Sequence, residues 1–256
     1  MKALVKLTLA ALSFAVIIGA QTAKADSDIE KIIGKNDLIA VDAKASNIPA
    51  KFRPLVDAFG KLGMGCTATH IGGGYVLTAG HCFWANETPI ENQDCAGAEN
   101  EIQWGFREGV EPYMVSKCEK IVMAQRTEKM DFALLKVSPI PPTAVKADWS
   151  KRPKVGEKVT IFSHPEELPL RWSQICKIQQ VADADFDPAL IHHVCDTNPG
   201  SSGATIIQAY TLQVVGIHDG GKSDGNGGGL NYGTYIYDTP LRKILSGLNL
   251  NKPANY

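Results

Sequence analysis

Beyond residue 25 the chain has no apolar run approaching the ~20 residues that a membrane-crossing helix needs, and nowhere does it gather lysines and arginines into a block. The first absence leaves the mature chain without a helical anchor. The second, combined with a net charge of −1, leaves no electrostatic footprint for a nucleic-acid backbone. Helical periodicity is also scarce until close to the C-terminus, which argues against alternating helices and strands. Aromatic residues make up only 7% of the chain and are scattered through short apolar segments, where they are most simply core and cleft lining.

What is present begins with a leader. Lys2 and Lys6 precede an apolar stretch from Leu7 to Ala20, and Ala23-Lys24-Ala25 supplies a small-x-small cleavage pattern. Residues 1–25 are therefore expected to be a cleaved secretory signal, with an uncleaved anchor as the weaker alternative. The mature chain is expected to be soluble and exported, to the periplasm or outside the cell. All six cysteines lie downstream of the leader, an even number suited to disulfides in an oxidising compartment. Asp26 to Lys31 is polar and gives way to Ile32-Ile33-Gly34, so residues 26–31 read as a candidate pro-segment or as an extended arm.

From Leu38 onward, short apolar segments alternate with Gly, Pro, Asn and Asp. Strands are expected at Cys66–Thr69, Tyr75–Thr78, Glu101–Phe106, Lys120–Ala124 and Phe132–Val137. Gly72-Gly73-Gly74 reads as a hairpin turn, since no helix follows to complete a phosphate-binding loop. A segment from Val137 to Asp148 containing Pro139, Pro141 and Pro142 interrupts the series as a linker. Strands resume at Lys158–Phe162, Trp172–Gln179, Leu190–Val194, Ala204–Ile207, Leu212–Ile217 and Asn231–Ile236. Asp238-Thr239-Pro240 then suggests the N-cap of a terminal helix. Two runs of about six short strands on either side of a proline linker suggest two antiparallel β-barrels. The expected layout is a first barrel over 32–140 and a second over 141–256, ending in the helix.

Three segments carry chemistry. In Asn198-Pro199-Gly200-Ser201-Ser202-Gly203-Ala204 the glycines allow a sharp turn and the close approach of a substrate carbonyl. Leu77-Thr78-Ala79-Gly80-His81-Cys82 offers an imidazole. Asp131-Phe132-Ala133-Leu134-Leu135 offers a carboxylate at the head of an apolar run. A serine hydroxyl is a poor nucleophile without a base in reach, and a histidine steadied by an aspartate can serve as that base.

The order His81, Asp131, Ser202 resembles that of the trypsin/chymotrypsin superfamily rather than that of the α/β-hydrolases or subtilisins. Ile33-Gly34-Lys35-Asn36-Asp37, Cys66-Thr67-Ala68-Thr69 and Gly216-Ile217-His218 are similar to the bacterial branch that includes the glutamyl endopeptidases. The resemblance spans about Ile32 to Leu248. It implies an all-β, chymotrypsin-like fold of two six-stranded barrels and a serine endopeptidase that works through an acyl-enzyme on protein or peptide substrates. No cofactor and no metal is implied, and a monomer is expected.

By the same resemblance Ser202 is the nucleophile, with the backbone N–H groups of Gly200 and Ser202 as the oxyanion hole. Ser201 stands where trypsins keep the aspartate that receives the new amino terminus, so a trypsin-style activation switch is not implied. Cys66 and Cys82 are spaced like the family's disulfide around the histidine. Local closure then suggests Cys95 with Cys118 and Cys176 with Cys195. Substrate preference stays open between two readings. Asp196 lies where trypsins hold the carboxylate that selects Lys or Arg, whereas Thr197 and His218 lie where glutamyl endopeptidases receive an acidic side chain. Acidic preference is slightly favoured, and His218 as a core histidine is an equal alternative to a pocket role. His192 and His193 are adjacent on a strand and point to opposite faces, which disfavours a shared metal. Asp219 to Gly229 reads as a surface loop. The rival readings are a catalytically silent binder with the same fold and an esterase on an α/β sheet.

Overall fold

Segments of four to six residues bounded by turn formers are too short to bury a face as helices, so they satisfy their backbone groups by pairing. The computed structural model describes residues 31–179, 189–223, 229–248 and 250. Its strands are β1 (Ile39–Ala40), β2 (Phe59–Leu62), β3 (Thr67–Gly72), β4 (Tyr75–Thr78), β5 (Ile90–Asp94), β6 (Ile102–Trp104), β7 (Met114–Arg126) and β8 (Asp131–Ser138). They continue with β9 (Lys158–Ser163), β10 (Arg171–Trp172), β11 (Cys176–Lys177), β12 (Leu190–His193), β13 (Thr205–Gln208), β14 (Val214–Ser223) and β15 (Gly229–Tyr235). One α-helix, α1 (Leu241–Gly247), follows.

The first sheet runs β5-β7-β6-β2-β3-β4-β8, and a further pairing of β7 with β8 closes six of these strands into a barrel. Closure removes the exposed edges that an open sheet would offer to other chains. The second sheet runs β1-β10-β9-β13-β14-β15-β12, with β11 on β9. An antiparallel bridge between Ile178 and His193 links the end of β11 to β12. The closed barrel, the second sheet and the terminal helix, seen among the described residues, are consistent with the chymotrypsin-like fold that the resemblance implies.

The proline segment runs extended between the two sheets and is tied to both. Val145 N–H donates to the His70 carbonyl of the first barrel, while Val214 N–H donates to Lys146 O and Asp148 N–H to Val214 O in the second. Aromatic packing also joins the halves. Phe59 of β2 stacks on Phe162 of β9 with ring centroids 4.9 Å apart, and Phe52 lies against Phe162 and Trp172. All four rings are buried, and each such side chain contributes about 1.5–3 kcal/mol through burial. Phe52 belongs to a 3₁₀ helix, Ala50–Ala58, which the sequence pattern did not suggest.

Several elements differ from expectation in detail. Trp172 to Gln179 forms two short strands rather than one, and residues 219–223 extend β14 instead of forming a loop. Asp238 does not cap α1: a 3₁₀ turn, Ile236–Asp238, precedes the helix, and the Asp238 carboxylate pairs with Arg152 Nε at 2.5 Å. Disulfides join Cys66 to Cys82, Cys95 to Cys118 and Cys176 to Cys195. Residues 1–30, which hold the expected leader and most of the candidate pro-segment, lie outside the described residues. Among the described residues no helix is long and apolar enough to cross a membrane.

Candidate active site

His81 opens a short 3₁₀ turn, His81–Phe83, just after β4, and the Cys66–Cys82 disulfide fastens that turn to the approach of β3. Asp131 is the first residue of β8, which pairs with β4 through Thr78 and Ala133. The pairing brings the two side chains together. Asp131 Oδ2 lies 2.6 Å from His81 Nδ1, and Oδ1 accepts the backbone N–H of His81 at 2.9 Å. A carboxylate held at both oxygens by one residue fixes the ring's orientation and favours the tautomer with the proton on Nδ1. The His81 side chain keeps 25% of its exposure and Asp131 only 10%.

Asp131 is itself positioned from the second sheet. Its N–H donates to Thr234 Oγ1 at 2.6 Å, and Thr234 Oγ1 lies 2.6 Å from Asp219 Oδ2. Arg126 Nε stands 3.6 Å from Asp131 Oδ2. Neither Arg126 nor Thr234 was singled out from sequence, since each looks like an ordinary strand residue, and Asp219 was read there only as the start of a surface loop. Cys66, His81 and Cys82 also lie close together, but both sulfurs are spent in their disulfide and offer no thiolate to a metal.

The serine segment comes from the second sheet as two successive tight turns. Ser201 N–H donates to Asn198 O, and Ala204 N–H donates to Ser201 O, both at 2.9 Å. Gly200 at φ 98° and Gly203 at φ 83° occupy the third positions of these turns, which a side chain disfavours and glycine accepts. The second turn is pressed against the first barrel: a Cβ at Gly203 would stand 2.1 Å from Thr78 Oγ1 and 2.7 Å from Ala79 N. Thr67 N–H donates to Ser202 O, and Thr67 Oγ1 donates to Gly200 O. The serine turns therefore sit on the same β3–β4 ends that lead into His81.

The two serines differ in surroundings. Ser201 is fully buried, and its Oγ bonds Ser163 Oγ at 3.0 Å. Ser202 is partly exposed and is the more accessible of the two.

Thr197 and Asp196, expected near a substrate side chain, part company. Asp196 is buried and accepts the backbone N–H groups of Ile33 at 2.7 Å and Asp37 at 2.6 Å. Thr197 N–H and Asn231 Nδ2 both donate to Lys31 O, at 3.0 and 2.7 Å. The amino-terminal arm, residues 31–37, thus lies along the strand exit that leads to the serine turns. Thr197 Oγ1 is buried with no hydrogen-bond partner among the described residues, an orphan donor that a ligand could satisfy.

His218 on β14 is fully buried and lies against His193 on β12, Nδ1 to Nε2, at 3.1 Å. Cys195 N–H donates to His193 Nδ1 at 3.3 Å. An accepting Nδ1 places the proton of His193 on Nε2, where it donates to His218 Nδ1; the proton of His218 then sits on Nε2. Burial pushes His193 well below the usual histidine range, and the neighbouring His218 and His192 push the same way. The pair is therefore neutral at His193 and fixed in tautomer, a role that sequence alone did not show.

The trypsin-like peptidase domain family matches residues 66–217, a span that contains His81, Asp131 and Ser202. No curated protein matches the chain in sequence. Among solved structures, one titled as a Glu endopeptidase in complex with MPD superposes with a TM-score of 0.58 at 16% identity, covering 84% of this chain and 98% of its own. The Rv3671c protease in an inactive form gives 0.52 at 15% identity, covering 82% and 98%. A serine-to-alanine mutant of Rv3671c from M. tuberculosis H37Rv gives 0.53 at 14% identity, covering 85% and 98%. At these identities the likeness is one of fold.

Proposed function

Because the chain belongs to the trypsin-like peptidase domain family, we propose that it is a secreted or periplasmic serine endopeptidase whose catalytic residues are His81, Asp131 and Ser202. The observation that carries the reading is the doubly bonded His81–Asp131 pair at the ends of strands on which the Ser202 turns rest. In the proposed reaction His81 Nε2 takes the proton of Ser202 Oγ as the oxygen bonds to the scissile carbonyl carbon. Asp131 stabilises the imidazolium, and His81 returns the proton to the departing amine. Water, activated by the same nitrogen, then releases the acyl group. The N–H groups of Gly200 and Ser202 receive the oxyanion. Three disulfides suit the oxidising compartment that the leader implies.

Within this reading the preferred residue before the scissile bond is acidic. Thr197 Oγ1 and the Nε2–H of His218 are hydrogen-bond donors, and His193 holds His218 in the donating tautomer. The alternative preference for Lys or Arg needs a carboxylate facing the substrate, and the Asp196 carboxylate is already committed to the amides of Ile33 and Asp37. The decisive test is covalent labelling by a fluorophosphonate probe. Labelling of the wild type that vanishes in Ser202→Ala is expected, and an unlabelled wild type would leave the silent-binder reading in its place. A peptide-library profile from the same preparation reads the preferred residue.

A further inference from the structure

We propose that Glu166 is a positioning residue that locks the Pro199–Gly200 peptide in the orientation the oxyanion hole requires; the inference rests on the peptidase reading above. The peptide in question is the central one of the turn Asn198-Pro199-Gly200-Ser201, which is closed by Ser201 N–H to Asn198 O at 2.9 Å. Such a turn has two forms that differ by rotation of this one peptide through about 180°: type II, with the third residue at φ near +80°, and type I, with it near −90°. Gly200, at φ 98°, places the turn in the type II form. Nothing in the residues of the turn alone forces that choice, because proline suits the second position of both forms and glycine accepts either φ.

The deciding contact comes from outside the turn. Glu166 N–H donates to Pro199 O at 2.5 Å. In a trans peptide the carbonyl and the following N–H point in opposite directions, so a Pro199 carbonyl drawn to Glu166 turns the Gly200 N–H to the other face. Rotation to type I would break the bond and swing a carbonyl oxygen to the face where the N–H stood, repelling an oxyanion instead of binding it. The carbonyls of Gly200, Ser201 and Ser202 are likewise engaged, by Thr67 Oγ1, Ala204 N–H and Thr67 N–H respectively. For the proposed hole donor at Gly200, the lock is Glu166.

Glu166 makes this contact from a left-handed backbone. It lies at φ 53°, ψ 29°, and Glu167 follows at φ 59°. Two consecutive non-glycine residues in this region are unusual, and strain of this kind is kept where the surroundings require it. The surroundings here are close. A Cβ at Gly200 would stand 2.7 Å from His164 O and 3.0 Å from Glu166 N. His164 N–H in turn donates to Thr67 Oγ1, the group that holds Gly200 O. Asn198 Nδ2 to Glu166 Oε1, at 3.3 Å, is a further tie from the side chain.

The test is a series at this position, E166G, E166N, E166A and E166V, ranked by tolerance of the left-handed region. Turnover is expected to follow that rank. E166G and E166N keep kcat within about threefold, because their backbones reach the same φ. E166V loses about 10²–10³ in kcat, the cost of one oxyanion donor, with KM little changed. Crystal structures of wild type and E166V give a readout independent of activity: Gly200 at positive φ in the first, and the Pro199 carbonyl rotated in the second. If E166V fails to fold, the contrast between E166G and E166A decides, with E166A the slower. The proposal is overturned if kcat ignores the rank, if E166G is as impaired as E166V, or if the Pro199 carbonyl keeps its direction in the impaired variants. Failure of the peptidase reading shows separately, as a wild type that cleaves no peptide whatever the orientation of the turn.

Discussion

Asp131 grips His81 at two points, with one carboxylate oxygen on the backbone N–H at 2.9 Å and the other on ring Nδ1 at 2.6 Å. The first bond sets where the residue sits and the second sets which way the ring faces. Asp131→Asn preserves the shape but can present an amide N–H to the ring, favouring the wrong tautomer. Its kcat is expected to fall about 10⁴-fold with the fold intact, measured as initial rates beside far-ultraviolet circular dichroism. A loss below tenfold would remove Asp131 from the catalytic set.

Gly203 presses the serine turn against the ends of β3 and β4 of the first barrel. Gly203→Ala adds a methyl 2.1 Å from Thr78 Oγ1 and 2.5 Å from Thr67 O, at a φ of 83°. Strain at such a φ alone costs roughly 1–3 kcal/mol, and the clash adds to it. The variant is expected to unfold at clearly lower urea concentration and to lose activity in parallel. Wild-type stability would show that the serine turn does not pack against β3 and β4 as described.

Substrate preference can be read from three side chains. Thr197→Val and His218→Leu each remove a donor, and the ratio of cleavage after glutamate to cleavage after glutamine should fall about 10–100-fold, the worth of a hydrogen bond to a charged group. Asp196→Ala should leave cleavage after Lys or Arg as poor as before, while speeding proteolytic nicking between residues 31 and 37 as the arm loses its anchor. A variant that instead abolished strong cleavage after Lys or Arg would restore Asp196 to the pocket.

Stability should decline on mild acidification. His164 is fully buried and stacked beside Phe106, and burial pushes its pKa down to about 4 from 6.5. The unfolded chain accepts the proton more readily, so this contribution is complete above pH 6.5 and is lost as pH falls toward 4. The loss is about 3 kcal/mol over that window, and buried His193, displaced in the same direction, adds to it. Urea midpoints from pH 7 to pH 4.5 should show the decline, with a shallower slope in His164→Gln. An unchanged slope in that variant would assign the acid sensitivity elsewhere.

Much of this protein was legible in one dimension because the relevant physics is local. Turn formers at short intervals rule out long helices. The pattern around Tyr75–Thr78 matches β4 residue for residue. The family resemblance implied the Cys66–Cys82 bridge and local closure suggested Cys95–Cys118 and Cys176–Cys195, and these three form. His81 and Asp131 could be named from their neighbours, since each sits at a strand end whose apolar run is visible in the sequence. The 3₁₀ helix Ala50–Ala58 was invisible, as Pro49 and Pro54 and an absence of helical period conceal a segment held by tertiary packing of Phe52.

Function at the level of residues depended on contacts between segments far apart in the chain, which no local pattern encodes. By itself the sequence determined the strand rhythm, the chemistry available and the order of His81, Asp131 and Ser202. Only the tertiary structure decided that Asp196 serves the amino-terminal arm, that His193 sets the tautomer of His218, and that Glu166 meets the Pro199 carbonyl. The reason is physical: a carboxylate, an imidazole or a peptide N–H can serve several partners equally well. Which one it serves is settled by the few ångströms that separate groups once the sheets have closed.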